Sequence, residues 1–189
     1  MSKKRRITFN SPVVLTFVIL SFAAMVANYL TAGLSNKLLF MTYHSSLASP
    51  LTYVRFFTHV LGHSGWSHYI GNMMYMLLLG PMLEEKYGSR AIIELIFITG
   101  LVTGLVTWFL FPSIALCGAS GVVFAFIMMT SFTGFKEGEI PLTVILVAII
   151  FIGQQVYEGL FVMDNVSNMA HILGGIVGAI AGYVLNKKS

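Results

Sequence analysis

Charge is what this chain has least of. Asp, Glu, Lys and Arg together make up 10% of its 189 residues, whereas soluble domains are roughly a quarter charged. With 57% hydrophobic residues and a mean hydropathy of +0.84, that excludes a water-soluble globular protein. The net charge of +4 comes from short basic ends and contains no basic face between them, which excludes a nucleic-acid partner. Cysteine is nearly absent as well. Cys117 alone rules out an internal disulfide, a Cys-x-x-Cys pair and a thiolate zinc cage. There is also no internal repeat and no low-complexity tract, so a repeat-built transporter is disfavoured.

What is present is apolar sequence in runs of the right length. Crossing about 30 Å of hydrocarbon at 1.5 Å per residue takes roughly 20 residues. Six runs meet or approach that length, over 13–32, 68–83, 91–111, 119–133, 140–157 and 169–185. The first is too long, and too rich in Phe, Val and Leu, for a cleavable signal segment, and is read as a retained helix. The expected fold is all-α: one membrane domain over 1–189, a bundle of six transmembrane helices.

Scarce charge then orients the bundle, because short cytoplasmic loops collect Lys and Arg. With both termini inside, Lys3, Lys4, Arg5, Arg6, Lys86, Arg90, Lys136, Lys187 and Lys188 fall on the inner face, nine of the eleven, leaving Lys37 and Arg55 outside. The expected location is the cell (cytoplasmic) membrane, multi-pass, with both termini cytoplasmic. The outer connections are Gly33 to Ser67, Pro112 to Gly118 and Glu158 to Asn168. The first is long and apolar, with Leu38, Phe40, Tyr53, Phe57 and Trp66 among its residues, and is expected to lie in the membrane interface.

Polar residues inside spans are costly, so their depth is informative. Ser120 precedes Lys136 by sixteen positions and His171 precedes Lys187 by sixteen, which puts each about 24 Å above its inner anchor. His68 and Asn72, eighteen and fourteen positions before Lys86, stand at about 27 and 21 Å. Four polar groups therefore share one layer. The fourth span, about 15 residues long, covers only ~22 Å, and Lys136, Glu137 and Glu139 pin its inner end. The shortfall leaves Ser120 in a depression open to outer water, beside irregular backbone of the kind tolerated only where it is buried or lines a wet cavity.

A hydroxyl beside an imidazole is a nucleophile with a general base. Ser120 lies in Gly118-Ala119-Ser120-Gly121 at a helix start, where free N–H groups favour an oxyanion. Asn72 and His68, one turn apart, add side-chain donors. Gly-x-Ser-Gly by itself is a weak pattern that also serves helix packing. His171 adds the second group: it heads the stripe His171, Gly174, Gly178, Gly182, the face on which another backbone approaches most closely. A third, acidic member is disfavoured. Five of the seven acids, Glu84, Glu85, Glu94, Glu137 and Glu139, lie at or near the inner side; of the outer two, Asp164 is seven positions from His171, about 10 Å along a helix. The expectation is a dyad. Glu84 is expected to tie the second helix to the inner loop.

His59 and His63, one turn apart, invite a metal reading with His68 as a third ligand. No Cys or carboxylate accompanies them and no His-Glu-x-x-His occurs, so they are read as structural histidines, and no metal or cofactor is expected.

These residues resemble the rhomboid family of intramembrane serine proteases, in its bacterial six-helix form, over nearly the whole chain. Arg55-Phe56-Phe57-Thr58-His59, His63 and His68-x-x-x-Asn72 resemble the family's first-loop and second-helix signature; Gly118-Ala119-Ser120-Gly121 resembles its nucleophile motif, and Ala170-His171 with the glycine stripe its base helix. The resemblance implies Ser120 as nucleophile, His171 as base, His68 and Asn72 as oxyanion donors with Gly118 near that hole. It also implies single-span membrane proteins as substrates, the fifth helix as lateral gate, and Glu158 to Asn168, with Phe161, Val162 and Met163, as a cap. A non-catalytic relative that captures membrane helices is the alternative, and a proton-coupled transporter a more distant one. Two positions depart from the family pattern: Val54 precedes Arg55 where the family has Trp, and Phe124 stands where many members have a Tyr stacked on the catalytic His.

Overall fold

The computed structural model describes residues 8–134, 139–161 and 165–187. It is a helical bundle of α1 (Pro12–Leu30), α2 (Pro50–Thr58), α3 (Trp66–Leu110), α4 (Ser120–Ser131), α5 (Leu142–Phe161) and α6 (Asn165–Lys187). A π-helical turn (Asn36–Phe40) and two short strands, β1 (Thr42–Tyr43) and β2 (Ala115–Leu116), complete it. Its outer surface is apolar: Leu30, Leu78, Phe109, Ile140, Ile150 and Ile180 are all exposed. An apolar exterior around an apolar core identifies a polytopic membrane bundle rather than a domain facing water. Lys3, Lys4, Arg5, Arg6, Lys136 and Lys188, which carried much of the charge asymmetry, lie outside the described residues, as do Glu137, Val162, Met163 and Asp164.

The second and third expected spans are the two arms of α3, two helices joined at a kink. The connection between them is helical throughout except at Gly88, whose φ of +84° is left-handed backbone that glycine alone adopts without strain. Around it, Ser89 Oγ donates to Glu84 Oε1 at 2.7 Å, and Arg90 pairs with Glu94 at 2.7 Å. Glu84 also reaches a different helix. Its carboxylate accepts from Ser11 Oγ at 2.5 Å, Val13 N at 3.0 Å and Val14 N at 3.1 Å. Pro12 opens α1, as its fixed φ favours, and Glu84 caps the N–H groups that the helix start leaves without partners.

The core lies where α1, both arms of α3 and α4 meet, around Val14, Met76, Leu83, Ile92, Val122 and Phe126. A Cβ on Gly80 would lie 2.6 Å from Val14 Cγ2, so α1 crosses α3 where the side chain is missing. α6 packs on α4 by the same device along the stripe seen in the sequence. A Cβ on Gly174 would fall 2.0 Å from the Gly121 carbonyl oxygen, and one on Gly178 2.1 Å from that of Ala125. α4 has 12 residues, about 18 Å, shorter still than the expected span. Residues 158–161 and 165–168 of the expected third outer connection are helical, because α5 and α6 extend towards each other.

The first outer connection folds against α3. Gly104 and Gly100 leave room for the α2 backbone, a Cβ on Gly104 lying 2.7 Å from the Phe56 carbonyl oxygen. Arg55 is 4% exposed. Its guanidinium donates to Tyr43 Oη and Ser45 Oγ, each at 2.9 Å, and lies 4.4 Å from the Tyr43 ring centre. Val54, beside it, is 41% exposed, so the residue that departs from the family pattern points away from this anchor. Trp108 Nε1 donates to the Ser45 carbonyl at 3.0 Å, just after β1 in the chain.

Candidate active site

A short β-pair, a glycine turn and the α6 glycine stripe position the residues of the expected site. β1 pairs antiparallel with β2, Thr42 opposite Leu116 and Tyr43 opposite Ala115, which ties the first outer connection to the segment leading into α4. Gly118 then donates its N–H to the His59 carbonyl at 2.9 Å and takes φ +135°, a left-handed conformation open to glycine. From that turn α4 begins, with Ser120 as its first residue.

The glycine stripe of α6 holds His171 against the same end of α4. Ser120, His171, His68 and Asn72 line one cavity of about 460 Å³, walled also by Tyr75, Phe124 and Gln154. Ser120, His68 and His171 are half-buried and Asn72 is buried. The cavity thus opens at the surface and narrows to a buried floor at Asn72. The His171 ring lies 4.3 Å from that of Phe124, centre to centre, and Phe124 in turn 4.6 Å from Phe151.

Gly118 shapes one wall by what it lacks. A Cβ there would lie 2.6 Å from His68 Cε1, 2.8 Å from its Nε2 and 3.8 Å from Asn72 Nδ2. Asn72 Nδ2 is buried and makes no hydrogen bond among the described residues. A buried amide donor without a partner is costly, and here it faces the notch beside the first turn of α4, whose own N–H groups have no partner within the helix. Donors converging on one notch are an arrangement that can stabilise an anion. Because its own N–H is taken by His59, Gly118 contributes space rather than a donor.

His59 and His63 lie beneath this wall. His59 Nε2 donates to the Gly100 carbonyl at 3.0 Å, and His63 Nδ1 to that of Leu61 at 3.1 Å. Burial pushes both rings down to about 4, offset for each by its carbonyl partner, with the neighbouring His68 lowering His63 further. Both are neutral wedges between the first connection and α3. Among the described residues no group of His, Cys, Asp or Glu has the arrangement to hold a metal. Cys117 is also inert, its thiol raised to about 11 by burial.

Sequence reasoning had not singled out Gln154 or Tyr75. Both were findable: Gln154 is one of two adjacent glutamines that interrupt an apolar run, and Tyr75 follows Asn72 by three positions, on the same face.

Comparison with known proteins points one way. The Rhomboid domain family model matches residues 50–188. Rhomboid-related protein 2 of mouse is 34% identical over 162 residues, 74% of this chain and 53% of its own length. Rhomboid-like protein 11, chloroplastic, of Arabidopsis thaliana is 24% identical over 147 residues, 70% and 52% respectively. The Rhomboid protease GlpG of Haemophilus influenzae is 23% identical over 177 residues, 92% of this chain and 91% of its own. The chain spans about half the length of the mouse and plant relatives.

Proposed function

The chain belongs to the rhomboid family, and on that premise we propose that it is an intramembrane serine endopeptidase cutting the membrane segments of other proteins by a Ser120–His171 dyad. The observation that carries this reading is the shared cavity, in which a hydroxyl, an imidazole and an unpartnered amide donor line one water-accessible space.

In this reading Ser120 Oγ attacks the scissile carbonyl carbon while His171 takes the hydroxyl proton. The carbonyl oxygen becomes an anion held by Asn72, His68 and the first-turn N–H groups of α4. His171 passes its proton to the departing amine, leaving an acyl ester on Ser120. Outer water then attacks that ester with His171 again as base, releasing the acid and restoring the serine. Phe124 supplies an aromatic face for the His171 ring, so the family's hydroxyl at that position is dispensable for stacking. Substrates are single-span membrane proteins that enter sideways past α5. The setting is the cell membrane, with both termini cytoplasmic, and neither metal nor cofactor takes part.

The test uses the full chain in liposomes with a fluorogenic single-span substrate and a fluorophosphonate probe. Cleavage with probe labelling at Ser120, both lost in Ser120→Ala and His171→Ala and both resistant to chelator, is expected. A folded wild-type protein that binds the substrate but neither cuts it nor takes the probe would instead be the non-catalytic relative.

A further inference from the structure

His68 can serve an oxyanion only as a donor, and a neutral imidazole has one proton for two nitrogens. The two nitrogens face different surroundings. Nε2 faces the notch left by Gly118, 2.8 Å from where a Cβ would stand. Nδ1 faces away from it and lies 3.1 Å from the hydroxyl of Ser64, a residue one turn back that has had no part in the site so far.

A serine hydroxyl can donate or accept, and the two directions have opposite consequences. With Ser64 accepting, the proton sits on Nδ1, and Nε2 turns a lone pair towards the notch where Asn72 Nδ2 also points. That lone pair repels a developing anion. With Ser64 donating to Nδ1, the proton sits on Nε2 and joins the donor set. The adjacent His63 leaves this choice to Ser64: its ring is 5.0 Å from that of His68, and its proton is committed to the Leu61 carbonyl.

We propose that Ser64 is a positioning residue that donates to His68 Nδ1 and so holds His68 as the Nε2–H tautomer, aimed into the oxyanion notch. The proposal rests on the proteolytic reading for its kinetic consequence but not for the hydrogen bond itself. Side chains that fix the tautomer and orientation of a functional histidine are worth about 10- to 100-fold at metal sites. Ser64 is exposed, so water partly replaces it and the loss belongs at the lower end.

The test combines histidine nitrogen NMR with kinetics on the full chain in liposomes. In the wild type, His68 should show a protonated Nε2 and a bare Nδ1; Ser64→Ala should shift population to the other tautomer, and Ser64→Thr should restore it. In parallel, Ser64→Ala should lower kcat about tenfold with KM little changed, Ser64→Thr should recover it, and Ser64→Ala should add no loss in a His68→Ala background. A wild-type His68 protonated on Nδ1, or a tautomer indifferent to Ser64→Ala, overturns the proposal. Equal kinetic losses with and without the His68 ring overturn it too. A wild type without proteolysis refutes the proteolytic reading alone, and the wild-type spectrum still decides the tautomer.

Discussion

The ring of Phe124 lies 4.3 Å from the imidazole of His171, centre to centre, at an interplanar angle of 40°. Phe151 backs Phe124 at 4.6 Å, so the imidazole rests on an aromatic pair contributed by α4 and α5. Such contacts are worth about 0.5–1.5 kcal/mol beyond area burial, and small misplacements of a reacting group can cost 10²-fold. Phe124→Ala should lower kcat by about one to two orders of magnitude with KM little changed. Phe124→Tyr should stay within about threefold of wild type, since the ring is kept and energies below ~1 kcal/mol are at stake. Steady-state kinetics in liposomes check both; a silent Phe124→Ala would mean that other contacts hold His171.

Glu84 leads to a prediction about stability alone. Its carboxylate joins α1 to α3 through Ser11, Val13 and Val14, and bonds Ser89 beside the Gly88 bend. Hydrogen bonds to a charged group contribute about 1.5–3 kcal/mol each, and the start of a helix favours a negative charge. Glu84→Gln keeps the shape and removes the charge, so it should destabilise by about 2 kcal/mol, and Glu84→Ala by more. Activity per folded molecule should be unchanged, because neither Glu84 nor any of the residues it bonds, Ser11, Val13, Val14 and Ser89, lines the cavity. Reversible unfolding in micelles, with active-site titration of the folded fraction, separates the two quantities.

The same contacts show where sequence reading stopped. Apolar runs, the glycine stripe and the level placement of Ser120 with His171 were legible, because each follows from a repeat or a rise per residue. Ser120 and His171 do share a cavity. The Glu84 cap was not legible: it depends on Ser11 meeting a residue 73 positions away, whereas the expected tie to the inner loop accounts only for the bond from Ser89. Nor was the tightness of the bend between the two arms of α3, where a single positive-φ residue, Gly88, joins the two expected helices without a loop. The commitment of the Gly118 N–H to His59 was hidden for the same reason, being a contact between distant segments.

The two buried histidines set a pH limit. His59 and His63 are lowered to about 4 from an ordinary 6.5, chiefly by burial. Between those values the unfolded chain binds protons that the folded chain refuses, so stability rises with pH across that window. The contribution of these two rings to stability in micelles should therefore be flat above about pH 6.5, fall towards pH 4 and level off below it, at up to about 1.4 kcal/mol per pH unit for each histidine. His59→Gln should flatten roughly half of that slope while lowering the plateau through its weakened bond to Gly100. A midpoint that rises on acidification would contradict the neutral, buried assignment of both rings.

Gly118 is the sharpest point at which backbone and chemistry meet. An alanine there would set its Cβ 2.6 Å from Cε1 and 2.8 Å from Nε2 of His68, closer than packed atoms approach, and would hold a side chain at φ +135°. The imidazole is rigid, so the whole ring must swing out of the notch. Gly118→Ala should then lower kcat by about 10²-fold or more, the scale seen when one oxyanion donor is lost, with about 1–3 kcal/mol of backbone strain. A double-variant cycle with His68→Ala distinguishes the two contributions. With the ring already gone, Gly118→Ala should cost the backbone strain alone and little further kcat. If its kinetic cost were the same in both backgrounds, the notch would owe its shape to the chain path through Gly118 and not to the gap between that residue and the ring.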